Sequence, residues 1–141
     1  MTSTSRRYFE SMYESDADPW HFATSEYERR KYALTVAALP RGRYHNAFEP
    51  GCSIGVLSEQ LALRCDRLLS TDIIVDALNT AAARLSEFRN VVVEERSIPD
   101  EWPQETFDLI GAFDRTIGIG ADVQNRFKAL HQLRALAQLP D

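Results

Sequence analysis

The stretch Asn46-Ala-Phe-Glu-Pro-Gly-Cys-Ser-Ile-Gly55 decides the fold of this chain. It joins a short apolar run to the start of a helical pattern through a turn that contains Gly51 and Gly55. Glycine lets the backbone approach a ligand without interference from a Cβ atom, and Glu49 places a carboxylate at the end of the preceding strand. A strand, turn and helix of this kind are typical of a cofactor site in an α/β sheet.

A second carboxylate, Asp72, ends the next apolar run, Arg67-Leu-Leu-Ser-Thr-Asp72. A carboxylate at the end of that strand can accept hydrogen bonds from both hydroxyls of a ribose. Asp72 could also cap the helix that follows, a role that aspartate fills well, and the two roles are compatible. Together with Glu49 and the two glycines, Asp72 predicts a site for a nucleoside cofactor.

The spacing of the glycines narrows the choice of cofactor. A dinucleotide site needs G-x-G-x-x-G, whereas only Gly51-x-x-x-Gly55 occurs here, and no G-x-x-x-x-G-K-[ST] sequence is present. The sequence therefore disfavours an NAD-dependent oxidoreductase and excludes the P-loop nucleotide hydrolases. A carboxylate just before the turn suits a cationic ligand, and S-adenosylmethionine carries both an ammonium and a sulfonium group.

These residues resemble the first motif of the class I S-adenosylmethionine-dependent methyltransferases, E/D-x-G-x-x-x-G, which Glu49, Gly51 and Gly55 match. Other segments resemble the nodulation protein S (NodS) branch of that class: Tyr8-Phe9-Glu10, Asp18-Pro19-Trp20, residues 25–32, residues 91–103 and Phe107-Asp-Leu-Ile110. The resemblance covers about residues 8–110. It implies S-adenosylmethionine as the cofactor and N-methylation of the free amine of a partly deacetylated chito-oligosaccharide or a related small acceptor.

The resemblance also implies roles for residues outside the glycine turn. Ser97 and Ile98 follow the third strand, where the family brings a small polar or acidic side chain and a backbone N–H to the adenine edge. The N-terminal segment covers the cofactor in this family, which makes Trp20, Tyr27 and Lys31 candidate lid residues. Ordinary packing of an amphipathic helix would explain the same residues.

The cysteines and histidines indicate no further chemistry. Cys52 and Cys65 provide neither a disulfide framework nor a metal spacing, so reduced thiols are expected. Cys52 lies in the cofactor turn, where its small polarisable side chain suits close packing better than nucleophilic catalysis. No metal site is expected, because the three histidines share no ligand spacing.

Composition bounds the class of protein. The 141 residues suffice for one domain with a core, and 44% hydrophobic content is ordinary. A net charge of −5, without a large basic cluster, argues against a nucleic-acid partner. Residues 1–7 lack the apolar core of a signal peptide, and no apolar run approaches the roughly 20 residues of a membrane helix. We expect a cytoplasmic protein whose partner is a small-molecule or oligosaccharide acceptor.

Apolar periodicity and turn residues alternate along the chain and predict an α/β, Rossmann-like doubly wound parallel sheet of class I methyltransferase type. Helices are expected over 26–39, 54–64 and 74–88, and strands over 44–49, 67–71, 90–95 and 106–112. The apolar stripe of the first of these helices is expected to pass through Tyr27, Lys31, Leu34 and Ala38.

Three regions are expected. They are a helical leader or lid over residues 1–43, a partial cofactor-binding domain over 44–112 and an atypical tail over 113–141 with one helix from 122 to 139. The likeness to the family is expected to stop at Ile110, with the fold truncated after the fourth strand. Beyond it, Asp114 falls in the slot of a family glutamate and is the candidate catalytic proton acceptor.

The departure of the tail leaves two functions open. One is an S-adenosylmethionine-dependent methyltransferase; the other is a cofactor-binding or interaction fragment without catalysis. Methyl transfer needs the acceptor nitrogen to be held in line with the methyl group, and the elements that build the acceptor wall in the family are expected to be missing after Ile110. We therefore expect little methyl transfer by this chain.

Overall fold

The fold is built on a buried central strand. The computed structural model describes residues 3–19, 21, 23–98 and 100–111. Strand β1 (Tyr44–Pro50) is buried at its last four residues, and β2 (Cys65–Asp72) at its last five, because side chains on both faces of the sheet are covered. With β3 (Val91–Glu95) and β4 (Leu109–Ile110) these strands form a sheet in the order β3-β2-β1-β4. All three pairings are parallel, as predicted.

Four helices accompany the sheet in the described residues: α1 (Ser3–Ser15), α2 (Glu26–Ala37), α3 (Val56–Ala62) and α4 (Val75–Arg84). The last three confirm the predicted helices, and each ends earlier than predicted. The bounds of α1 were not predicted, although its buried residues Phe9 and Tyr13 stand one helical turn apart. The predicted tail, 113–141, and its helix over 122–139 lie outside the described residues.

The buried face of α2 differs from the predicted stripe. Tyr27 and Leu34 are 66% and 70% exposed, so the predicted stripe is wrong. Tyr32 is buried instead, and Val36 and Leu39 pack on the core beside it. These three residues also recur at helical spacing, and the sequence alone does not distinguish the two stripes.

The guanidinium of Arg64 ties the end of α2 to the start of the sheet. It donates hydrogen bonds to the carbonyl oxygens of Val36, Arg41 and Gly42 at 3.1, 2.5 and 2.7 Å. One planar group therefore satisfies three backbone acceptors where the helix ends and the chain enters β1. These three hydrogen bonds fix the path of the chain from the end of α2 into β1.

Strand β4 is shorter than the predicted range of 106–112 because a side chain replaces part of its ladder. The carboxylate of Asp108 accepts the backbone N–H groups of His45 and Asn46, both at 2.8 Å. Burial alone would raise the pKa of Asp108, but these donors and the charge of Arg41 lower it below its usual value. Backbone pairing then joins Ala47 to Leu109 and Phe48 to Ile110.

The two faces of the sheet have different covers. On one face, Ala47 and Leu68 pack with α3 residues such as Leu57 and Leu61 in the main core cluster. On the other, the ring of Phe48 stacks on Phe107 at 5.0 Å and meets Trp102 edge-on at 5.2 Å. Within the described ranges, no helix has the length and apolar character needed to span a membrane.

Gly55 joins the glycine turn to α4. It begins α3 in the left-handed region, with φ of 84°. A Cβ atom added there would lie 3.2 Å from both Ala81 Cβ and Leu85 Cδ1 on the facing helix. Glycine is required at this position by backbone conformation and by packing against α4.

We expect Gly55→Ala to lower the free energy of unfolding by about 1–3 kcal/mol, through the positive φ and the contact with α4. Gly42→Ala is the matched control, because nothing lies within 4 Å of its added Cβ atom. Urea denaturation of both variants measures the difference. Equal stability of the two variants would contradict the role assigned to Gly55.

Candidate functional site

The site lies where the carboxyl ends of β1 and β2 meet. Glu49 pairs with Ser70 in the parallel register, and Pro50 pairs with Thr71, which brings the glycine turn beside Asp72. A cleft of about 260 Å³, including its open mouth, lies above this edge. Its walls are Tyr32, Glu49, Gly51, Cys52, Ser53, Ile54, Val56 and Leu57.

Backbone hydrogen bonds fasten the turn to β2. Cys52 donates its N–H to the carbonyl of Thr71 at 2.8 Å, and Ser53 donates its N–H to Asp72 Oδ2 at 2.8 Å. Gly51 and Ser53 both have positive φ, 73° and 53°, which is uncommon for serine. The turn is therefore held in a fixed conformation from which successive N–H groups face β2.

Glu49 lies on the floor of the cleft. Its side chain is 2% exposed, and its Oε1 atom accepts hydrogen bonds from the hydroxyls of Ser58 and Ser70, the latter at 3.1 Å. Ser58 and Ser70 are fully buried and lie on α3 and β2. A buried carboxylate needs such donors, because an unpaired buried charge is strongly unfavourable. The structure thus holds Glu49 at the position that the sequence motif indicates.

Asp72 lies beside the turn and is also 2% exposed. In addition to the N–H of Ser53, it accepts those of Ile73 and Ile74 through Oδ1, at 2.7 and 3.2 Å. The N-cap role considered for Asp72 is wrong, because α4 begins at Val75 and its N-cap is Ile74, with no side-chain cap hydrogen bond. The same carboxylate joins the glycine turn to the start of α4.

Packing explains why the remaining residues of the turn, Gly55 and Cys52, stand at their positions. Gly55 does not line the cleft, and its missing side chain is explained by contact with α4. Cys52 lines the cleft and packs against Leu78, Ala81 and Leu85. Cys65 is a buried free thiol at the amino end of β2, away from the cleft. Burial raises its pKa to about 11.

The N-terminal helices contribute two tyrosines to this edge. The hydroxyl of Tyr13 on α1 forms a hydrogen bond with the hydroxyl of Ser53, and Tyr32 of α2 lines the cleft. Of the predicted lid residues, Tyr27 is exposed, and Lys31 is half-buried with its Nζ 3.6 Å from Glu28 Oε2. Trp20, the third of them, lies outside the described residues, as does the predicted catalytic Asp114.

The segment after β3 approaches the site through Arg96, whose N–H donates to the carbonyl of Asp72 at 3.0 Å. The next residue, Ser97, donates its own N–H to the carboxylate of Glu101 at 2.9 Å. No acidic residue directly follows β3, and Glu101 is the acidic residue that bonds to Ser97, four positions further on. Ile98 is half-buried beside it.

Eight site residues were not predicted: Tyr13, Tyr32, Ser53, Ile54, Val56, Leu57, Ser58 and Ser70. Tyr13 and Tyr32 carried a helical-spacing signal with Phe9 and Val36. Ser70 stands two positions before Asp72, on the same side of its strand. Ser58 and Ser53 carried no signal beyond their place near the turn. Among the described residues, no group of three His, Cys, Asp or Glu side chains could hold a metal ion.

Comparison with known proteins extends the likeness beyond the predicted limit. The family model described as nodulation protein S (NodS) matches residues 8–136. The matched range extends past Ile110, where the likeness was expected to stop.

Three relatives illustrate the match. Nodulation protein S of Rhizobium tropici is 28% identical over 121 residues, which make up 85% of this chain and 51% of that protein. A crystal structure of a candidate methyltransferase from Pseudomonas syringae is 42% identical, with a TM-score of 0.62 over 77% of this chain and 69% of that one. N-methyltransferase NodS from Bradyrhizobium japonicum WM9, in complex with S-adenosyl-L-homocysteine, is 26% identical, with a TM-score of 0.78 over 94% of this chain and 67% of that one.

The chain spans about half the length of the curated relatives it matches. The sheet order, the parallel register and the buried acidic residue before the glycine turn agree with the Rossmann-like fold of class I methyltransferases. With a family match over residues 8–136 of 141, this chain belongs to the nodulation protein S family.

Proposed function

We propose that this chain binds S-adenosylmethionine at the carboxyl ends of β1 and β2 and serves N-methyl transfer to an amine of a chito-oligosaccharide or a related small acceptor. The observation that carries the proposal is the buried carboxylate of Glu49 on the cleft floor, beside Gly51. A buried carboxylate beside a cleft favours a cationic ligand, because the attraction between opposite charges is stronger where water is excluded. The complex of the Bradyrhizobium japonicum NodS with S-adenosyl-L-homocysteine supports the same choice of ligand class.

The residues at this edge fit the parts of such a ligand. Glu49 would face the amino acid portion, and Gly51 leaves room for that portion because it has no side chain. Asp72, at the end of β2, would contact the ribose. Ser97 and Ile98 would lie at the adenine edge, and because Glu101 accepts the N–H of Ser97, the N–H of Ile98 would be the one to contact the adenine.

Methyl transfer depends mainly on how the protein positions the acceptor amine relative to the methyl group. S-adenosylmethionine supplies an electrophilic methyl group, and the acceptor must present an unprotonated amine in line with it. The protein therefore has to exclude water, hold the amine and take up its proton. We propose Asp114 for the proton acceptor, on the strength of its position after the fourth strand.

A second candidate function is cofactor binding without methyl transfer. The observation behind it is that the chain spans about half the length of its curated relatives. The two candidates share the cleft and differ in whether an acceptor is held beside it, so cofactor binding and methyl transfer must be measured separately.

Titration calorimetry with S-adenosylhomocysteine and with NAD tests the cofactor class. We expect binding of S-adenosylhomocysteine only, because the turn has one G-x-x-x-G spacing and a carboxylate before it, which suits an amine and not a pyrophosphate. NAD binding without a response to S-adenosylhomocysteine would overturn the proposal.

Two substitutions should distinguish recognition of the ribose from recognition of the amino acid portion of the ligand. Asp72→Asn should weaken S-adenosylhomocysteine and 5′-methylthioadenosine alike, by about 1.5–3 kcal/mol, because both contain the ribose. Glu49→Gln should weaken S-adenosylhomocysteine alone, because 5′-methylthioadenosine lacks the amino acid portion. Calorimetry gives the affinities, and thermal unfolding identifies variants that have lost their fold. If a folded Asp72→Asn variant kept full affinity for both ligands, Asp72 would serve only to hold the backbone N–H groups of Ser53, Ile73 and Ile74.

Transfer of a labelled methyl group distinguishes the two candidate functions. We expect little label in total, and we expect it on a deacetylated chito-oligosaccharide and not on its fully N-acetylated counterpart, because an acetylated nitrogen has no nucleophilic lone pair. Cofactor binding with no label on any amine would refute the enzyme and leave the binding fragment.

A further inference from the structure

We propose that Ser58 and Ser70 are positioning residues that aim the Glu49 carboxylate at the amino group of the cofactor. The inference rests on the cofactor role proposed for Glu49. In this proposal, the two buried hydroxyls influence ligand recognition without touching the ligand.

The geometry places both hydroxyls on one carboxylate oxygen. Ser58 and Ser70 donate to Oε1 of Glu49, and their own oxygens lie 3.4 Å apart. The three residues come from α3, β2 and β1, so the bonds join three separate elements. With one oxygen held in this way, the orientation of the whole carboxylate is fixed.

The two serines lie behind Glu49 and not in the cleft. Both are fully buried, and neither is among the cleft-lining residues, whereas Glu49 is. Neither serine therefore contacts the cleft directly, and Glu49 is the cleft residue to which both are bonded. A hydroxyl behind a carboxylate also stabilises its charged form, which is the form that attracts an ammonium group.

A purely structural role explains this arrangement less well. A buried carboxylate and its donors stabilise a fold no better than apolar side chains of similar volume, because the charge must first be removed from water. The cluster lies directly below the only part of β1 that enters the cleft among the described residues. Its position therefore favours a role in recognition.

The test compares two ligands on the 141-residue chain. In the double variant Ser58→Ala, Ser70→Ala, we expect the affinity for S-adenosylhomocysteine to fall roughly tenfold and that for 5′-methylthioadenosine to change less than twofold. The single variant Ser70→Ala replaces the double variant if the latter does not fold. A role in stability alone would weaken both ligands equally, and that result would overturn the proposal.

Thr71→Val is the matched control. Thr71 is the neighbour of Ser70 in β2, is fully buried, and its hydroxyl has no hydrogen-bond partner among the described residues. Its removal should leave both affinities unchanged. A loss of S-adenosylhomocysteine binding in this control as large as that in the serine variants would also overturn the proposal.

The last test repeats the serine substitutions in a chain that carries Glu49→Gln and compares the affinities for the two ligands. If the serines act through Glu49, their removal from this background should leave the ratio of the two affinities unchanged, whereas independent action would change it again. Failure of the unmodified chain to bind S-adenosylhomocysteine would refute the proposed function itself. Normal binding by the unmodified chain, with equal losses for both ligands in the serine variants, would refute only the positioning role.

Discussion

Burial of two carboxylates at the ends of neighbouring strands is the constraint on which the rest of this structure depends. Glu49 and Asp72 are both almost inaccessible to water, and each would strongly destabilise the fold without donors. The chain supplies two hydroxyls for the first and three backbone N–H groups for the second. The conformation of the glycine turn follows, because Ser53 must direct its N–H at Asp72.

The same constraint accounts for the cost at Ser53. A serine with positive φ is held in a conformation that is unfavourable by about 1 kcal/mol or more. The bond from its N–H to Asp72 and the bond between its hydroxyl and Tyr13 hold it there. The strained Ser53, the carboxylate of Asp72 and Tyr13 are thus parts of one arrangement, to which α1 contributes although it lies far from the turn in sequence.

Much of the fold could be predicted, because its signals are local. Alternation of strand and helix predicts parallel pairing, and a carboxylate at the end of an apolar run predicts its place at the sheet edge. The reason for Gly55 could not be predicted, since it lies in Ala81 and Leu85 on another helix. The buried face of α2 could not be chosen either, because two stripes have the same spacing and only tertiary packing distinguishes them.

The candidate site also combines residues that the sequence predicts with contacts that it does not. The positions of Glu49 and Asp72 follow from the motif, whereas the donors that hold them do not. Ser58 and Ser70 meet Glu49 only after α3 folds back on the sheet and β2 pairs with β1. A hydroxyl carries no periodic signal in a sequence, so contacts of this kind become visible only in three dimensions.

The strand order has a consequence for how the protein opens. In the described sheet, β1 and β2 each have a neighbour on both sides, whereas β3 has only β2 beside it. Amide hydrogens of inner strands exchange with solvent only through the rarest openings, and those of edge strands and peripheral helices exchange sooner. The floor of the cleft therefore belongs to the slowest-exchanging part of the molecule. The wall residue Tyr32 belongs to the peripheral helix α2, whose amide hydrogens are expected to exchange sooner.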